Sequence, residues 1–160
     1  MERFLLPHHY KYPGWILLIL GIITGYLFME VHYMPDFLDV PVFAIHSQYI
    51  KKTVMGMSQT NLMDEIALLS TLTGLMLIAL SKKGNEDRTV MEIRTKALFL
   101  SFIGNALFIT FFTIFIFGIG FTKMVFLNLF FLPSAFIIIF NMLLLRKKKQ
   151  DRHKAGIHGS

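Results

Sequence analysis

Two adjacent carboxylates, Asp64 and Glu65, are the residues best placed to do chemistry in this 160-residue chain. They immediately precede an uninterrupted apolar stretch at residues 66–80. A carboxylate drawn toward an apolar medium is a candidate cation or proton site, because charge there is costly. The alternative is structural, since negative charge at the amino end of a helix interacts favourably with the helix dipole. We favour the structural interpretation, with Asn61 as the capping residue.

Other residue types exclude several kinds of chemistry. The chain has no cysteine, which excludes thiolate catalysis, disulfide exchange and cysteine metal sites. Its six histidines are scattered, and none has the i, i+4 spacing of a metal site on a helix. GxSxG, HExxH and phosphate-loop patterns are also missing from the sequence. We therefore predict no catalytic residue, no cofactor and no metal.

The distribution of apolar residues indicates whether lipid or water surrounds this chain. Hydrophobic residues make up 54% of the sequence and charged residues only 16%, and the charges lie almost entirely between apolar blocks. A soluble domain has roughly 25% charged residues and no such blocks. The pattern predicts an all-α, polytopic transmembrane four-helix bundle with the lipid bilayer as its solvent. The net charge of +6 comes from basic residues flanking these blocks, so we expect no nucleic-acid partner.

The positions of glycine, proline and charged residues define the predicted ends of the helices. A polar lead at residues 1–13 precedes one transmembrane domain at residues 14–145, and a basic, disordered tail follows at residues 146–160. Within the domain, the helices are predicted at about residues 14–33, 61–81, 86–118 and 122–145. Gly118 and Gly120 predict a tight turn, and Pro133 predicts a kink.

The longest connection, residues 34–60, has no apolar run long enough to cross a bilayer. Its polar residues His46, Ser47, Gln48, Lys51 and Lys52 lie largely on one side of a helical wheel. This arrangement favours an amphipathic helix at the headgroup level between the first two spans.

Lysine and arginine counts predict the orientation. The amino-terminal lead, the second connection and the tail together contain thirteen of these residues, and the other side contains three. Basic residues accumulate on the cytoplasmic side of membrane proteins, so both termini are predicted to be cytoplasmic.

Small and amide side chains within the spans are candidates for helix packing. Small residues let helices approach closely in lipid, and buried amides form hydrogen bonds between helices. The alternatives are a dimer seam for the glycines and a polar pathway for the amides, and we favour packing within one chain. The candidate residues are Gly21, Gly25, Ser70, Gly74, Asn105, Asn128 and Asn141.

The most charged stretch, residues 81–96, is the candidate cytoplasmic interaction surface. Its alternative role is a solvated connector that only orients the chain in lipid. The residues proposed to contact a partner are Glu86, Asp87, Arg88, Glu92 and Arg94.

Several short stretches carry a family resemblance. They are NLMDEI at residues 61–66, GLMLIA at 74–79 with SKK at 81–83, NED at 85–87, and VFLNLF at 125–130 through IFN at 139–141. This pattern resembles an uncharacterised family of small four-helix membrane proteins of Bacteroidota, over about residues 60–145. The resemblance implies a bacterial cytoplasmic (inner) membrane protein of a group that often accompanies small helix-turn-helix regulators. It assigns no functional residue to this chain.

The predicted function is non-enzymatic. We expect an accessory, sensing or regulatory subunit that acts on a protein partner or as a homo-oligomer. The alternative is an oligomeric small transporter or ion channel whose path includes Asp64 and Glu65. A membrane-embedded enzyme is a third and weaker hypothesis, because no paired catalytic residues fall on one side of the predicted helices.

The predicted orientation is testable with reporter fusions. Fusions after residues 12, 88 and 150 should report the cytoplasm, and fusions near residues 45 and 120 should report the outside, because of the basic-residue bias. A cytoplasmic signal near residue 45 would contradict the four-span topology.

Overall fold

The computed structural model describes residues 5–31, 33–47, 53–83 and 87–157. Four α-helices dominate it, and each contains a segment long and apolar enough to cross a membrane. This finding confirms the predicted number of helices and is compatible with an integral membrane protein. In chain order the elements are α1 (Lys11–Met29), β1 (Asp39–Ser47), β2 (Thr53–Asn61), α2 (Met63–Leu80), α3 (Arg88–Phe115) and α4 (Ile119–Ile157).

The last helix is longer than predicted. The sequence predicted a disordered tail from residue 146, whereas α4 continues through the basic residues to Ile157. Lysine, arginine and glutamine are good helix formers, and no glycine occurs in this segment before Gly156. The basic run therefore ends the apolar part of α4 without ending the helix, which is also unbroken at Pro133.

The predicted interfacial helix is wrong. Residues 39–47 and 53–61 form an antiparallel hairpin, with Asp39 paired to Asn61 at its base and Ser47 paired to Thr53 near its tip. Both segments are rich in β-branched residues, and Gly56 disfavours a helix. Pro41 is tolerated because both strands of a two-stranded sheet are edges. Three of the polar residues that suggested a helix lie outside the described residues: Gln48, Lys51 and Lys52.

The turn between α3 and α4 includes Gly118, as predicted, whereas Gly120 lies in the first turn of α4 and not in the link. Gly118 has φ +67°, a left-handed conformation that side chains disfavour. Its carbonyl accepts a hydrogen bond from the Phe121 N–H at 3.1 Å.

The chain forms two compact units, and their boundaries fall within α1 and α2. The first unit comprises residues 1–15 and 75–160, and the second comprises residues 16–74. In the first unit α3 packs along α4. Its core contains Ala79, Ala97, Phe136, Phe140 and Leu144.

In the second unit, α1 contacts α2 through the predicted glycine pair. A Cβ atom on Gly21 would lie 2.9 Å from the Thr71 Cα, so the backbones are closer there than an alanine permits. A Cβ on Gly25 would lie 3.8 Å from the Ala67 Cβ, an ordinary contact. The glycines therefore meet Ala67 and Thr71, which are a small pair at the same four-residue spacing as the Ser70 and Gly74 that the sequence suggested.

Asn61 joins the hairpin to α2 in the same unit. Its side-chain NH₂ donates to the Asp39 carboxylate at 2.8 Å and to the Pro35 carbonyl at 3.0 Å. Its side-chain oxygen accepts from the Met63 N–H at 3.2 Å, at the start of α2. One amide thus satisfies a free donor of the helix and closes the base of the hairpin.

The two glycines should respond differently to alanine. Gly21→Ala should destabilise the protein by about 1–3 kcal/mol, because the new Cβ meets the backbone of α2. Gly25→Ala should be close to neutral, because its Cβ would make an ordinary contact. Thermal unfolding in detergent measures both effects.

Gly104→Ala is the matched control, because nothing lies within 4 Å of the Cβ that it would add. Equal melting temperatures for the Gly21→Ala and Gly104→Ala variants would contradict the close approach of α1 and α2.

Candidate functional site

The acidic pair lies in the first turn of α2, as the structural interpretation requires. Asp64 is half-buried and Glu65 is exposed. The helix dipole favours negative charge at this end, and the Asn61 side chain caps the same turn. Among the described residues, no three histidine, aspartate or glutamate side chains come together in a way that could bind a metal ion.

The candidate interaction surface divides into exposed and buried residues. Asp87, Arg88 and Glu92 are exposed at the start of α3, whereas Glu86 lies outside the described residues. Arg94 was predicted to belong to this surface, but only 8% of it is exposed. Arg94 is buried because it lies on the face of α3 that also contains Ala97, and that face packs inward.

Arg94 donates hydrogen bonds to the end of α2. Its Nη1 lies 2.8 Å from the Ala79 carbonyl oxygen, and its Nη2 lies 3.2 Å from the Ser81 carbonyl oxygen. The last carbonyls of a helix lack partners within the helix and form the negative end of its dipole. A guanidinium satisfies them well, because its donors form a fixed planar fork.

Phe140 of α4 lies against the same guanidinium. The Arg94 Cζ is 4.6 Å from the centre of the Phe140 ring, and the Lys83 Nζ is 5.9 Å from it. A cation within about 6 Å of an aromatic face is attracted by the ring quadrupole. Arg94 thereby connects α2, α3 and α4, and Lys83 adds a second contact to α4.

Lys83 also donates a hydrogen bond to the side-chain oxygen of Asn141. The Asn141 amide in turn donates to the Ile137 carbonyl at 2.7 Å. Partial burial lowers the pKa of Lys83, and three nearby cations lower it further: Lys11, Lys148 and Arg94. We call Lys11, Lys82, Lys83, Arg94 and Lys148 the basic cluster.

The chain before α1 reaches the same place. Leu6 donates its N–H to the Leu80 carbonyl at 3.0 Å and accepts from the Lys82 N–H at 2.9 Å. The start of α1, the end of α2, the start of α3 and the later part of α4 therefore meet around the basic cluster.

A second polar contact joins α3 and α4 within their apolar segments. The Asn128 amide donates to the Asn105 side-chain oxygen at 2.9 Å. Ser101 lies one turn before Asn105 on α3, and Ala97 lies two turns before it. Both are fully buried, and the Ser101 hydroxyl donates to the Ala97 carbonyl at 2.8 Å. The small side chains let α3 pack closely, and one hydrogen bond joins the two amides.

The role of Arg94 was not predicted, although the sequence contains a signal for it. Arg94, Ala97, Ser101 and Asn105 recur at spacings of three and four residues, which places them on one face of a helix. An arginine on the face that also bears small and amide residues indicates an inward-facing cation.

No protein-family model matches the chain, and no curated protein or solved structure matches it.

Replacement of Arg94 should destabilise the protein more than replacement of an exposed arginine. Arg94→Met removes two charged hydrogen bonds to the end of α2 and should lower the free energy of unfolding by about 2–3 kcal/mol. Arg94→Lys should have an intermediate effect, because an ammonium group lacks the planar fork. Chemical unfolding in detergent gives these differences.

The matched control is Arg88→Gln, since Arg88 is exposed on the same helix. It should change the unfolding free energy by less than about 0.5 kcal/mol. Similar unfolding curves for Arg94→Met and Arg88→Gln would show that the Arg94 contacts do not stabilise the fold.

Proposed function

We propose that this protein is a multi-pass protein of a bacterial cytoplasmic membrane, of the kind found in Bacteroidota. In this proposal it acts without catalysis, as an accessory, sensing or regulatory subunit, and both termini are cytoplasmic. The bias of basic residues supports this orientation, as does the meeting of the four helix-end segments around the basic cluster.

One observation supports action through contacts above the others. Arg94 attaches the start of α3 to α2 and α4, while Asp87, Arg88 and Glu92 stay exposed on the same part of the chain. A charged helical surface fixed in this way loses little conformational freedom when a partner binds, and that favours affinity.

The extension of α4 offers a second helical surface in the same unit. Arg146, Lys149, Gln150 and His153 surround one shallow depression. Their spacing of three and four residues corresponds to a single helical face. The α3 surface contains both signs of charge and the α4 surface is basic, so the proposed partner presents an acidic patch beside mixed charges.

A native pull-down from membranes tests the proposal. The wild-type chain should recover a stoichiometric protein partner or a second copy of itself. Exchange of the charges in Arg88→Glu/Glu92→Lys should reduce recovery about tenfold or more, because attractive pairs become repulsive while net charge is unchanged.

Asp36→Lys/Lys123→Glu is the matched control, because it exchanges two exposed charges of opposite sign elsewhere. Its recovery should equal that of the wild type. Normal membrane levels with no partner, or equal recovery for both exchanges, would contradict the proposal. Ion flux in liposomes that is lost in Asp64→Asn or Glu65→Gln would favour the transporter alternative instead.

A further inference from the structure

A small cleft lies beside the basic cluster, entirely within the first unit. Its polar lining includes Lys11, Lys82, Lys83 and Asn141, and its apolar wall includes Ile78 and Phe136. One cleft is thus lined by Lys11, which precedes the first apolar segment, and by Lys82 and Lys83, which follow the second. The cleft is basic at one edge and apolar at the other.

The lysines of the cleft differ in their contacts with the rest of the protein. Lys83 already donates to Asn141 and lies against Phe140. Lys11 and Lys82 are half-buried and line the cleft from two different segments of the chain. Lys82 is anchored by its backbone N–H, which donates to Leu6, so its side chain projects from a fixed point. These two ammonium groups give the cleft its capacity for an anion.

We propose that this cleft binds the phosphate group of an anionic phospholipid. Basic pockets between transmembrane helices on the cytoplasmic side are suited to anionic headgroups. The lysines contact the phosphate oxygens, and the apolar wall receives the first methylene groups of the acyl chain. A soluble phosphate ester would use the lysines but not that wall. The inference is independent of any protein partner.

Trp15 provides a built-in reporter for this site. It is the only tryptophan of the chain and lies one helical turn after Lys11. Lipids with brominated acyl chains quench a tryptophan that they contact. The experiment therefore uses the full chain in vesicles of brominated phosphatidylglycerol, brominated phosphatidylcholine and their mixtures, and it measures the preference of the lipid next to Trp15.

The wild type should prefer phosphatidylglycerol, with each of Lys11 and Lys82 contributing about a fivefold preference. Lys11→Gln/Lys82→Gln should abolish the preference, so that the two lipids quench Trp15 equally. Lys82→Arg should retain it, because the positive charge is kept. The matched control Lys96→Gln/Arg152→Gln removes two exposed positive charges that lie outside the cleft and outside the proposed partner surfaces, and it should behave as the wild type does.

Circular dichroism tests whether the double variant is folded. If the double variant is unfolded, the single Lys82→Gln variant takes its place, and its preference for phosphatidylglycerol should be about fivefold lower than that of the wild type. Equal quenching by the two lipids in the wild type would overturn the proposal. Equal losses in the cleft variant and in the matched control would also overturn it, because they would indicate a general electrostatic field. Reversal of the phosphatidylglycerol preference by millimolar glycerol phosphate would assign the cleft to a soluble phosphate and overturn the lipid assignment.

Discussion

The contact of Arg94 with the end of α2 is the interaction on which the first unit depends. Two carbonyls at the end of α2 accept hydrogen bonds from one guanidinium, and the same group lies on the Phe140 ring. Without that cation, the carbonyls would need water, and Phe140 would face an apolar gap. Burial of an arginine is costly unless its donors find acceptors, and here the end of α2 supplies acceptors for Nη1 and Nη2.

The arrangement of charges around Arg94 follows from its burial. Once α3 turns Arg94 inward, Asp87, Arg88 and Glu92 remain outside. Lys83 lies against the same ring, so two cations contact one aromatic side chain. Burial lowers the pKa of Lys83, and repulsion by the neighbouring cations lowers it further. A basic cluster of this kind is suited to anionic groups.

The sequence predicts the helices well because hydropathy is a local property. Apolar blocks of spanning length become helices in any bilayer, and Gly118 marks a turn without help from the rest of the fold. The glycine pair of α1 is likewise visible, although its contacts on α2 are displaced around that helix from the predicted ones. Asn61 is recognisable as a cap for the same reason, because capping involves only neighbouring residues.

The features that the sequence did not predict depend on distant partners or on a competition between effects. The hairpin pairs Asp39 with Asn61, which lies 22 residues later in the chain, and a helical wheel cannot reveal that pairing. The burial of Arg94 depends on carbonyls of another helix. The basic run after residue 145 ends the apolar segment, but charge and helix formation are separate properties, and α4 continues.

The short link between α3 and α4 has a consequence for biogenesis. Residues 116–118 separate the two helices, and Asn105 bonds to Asn128 across them. An amide that enters hydrocarbon alone leaves its donors unsatisfied, whereas two amides that enter together satisfy each other. Insertion as a preassembled helical hairpin therefore has a lower free-energy barrier than insertion of either helix alone. Docking of the later part of α4 would then bring Phe140 against Arg94 of α3.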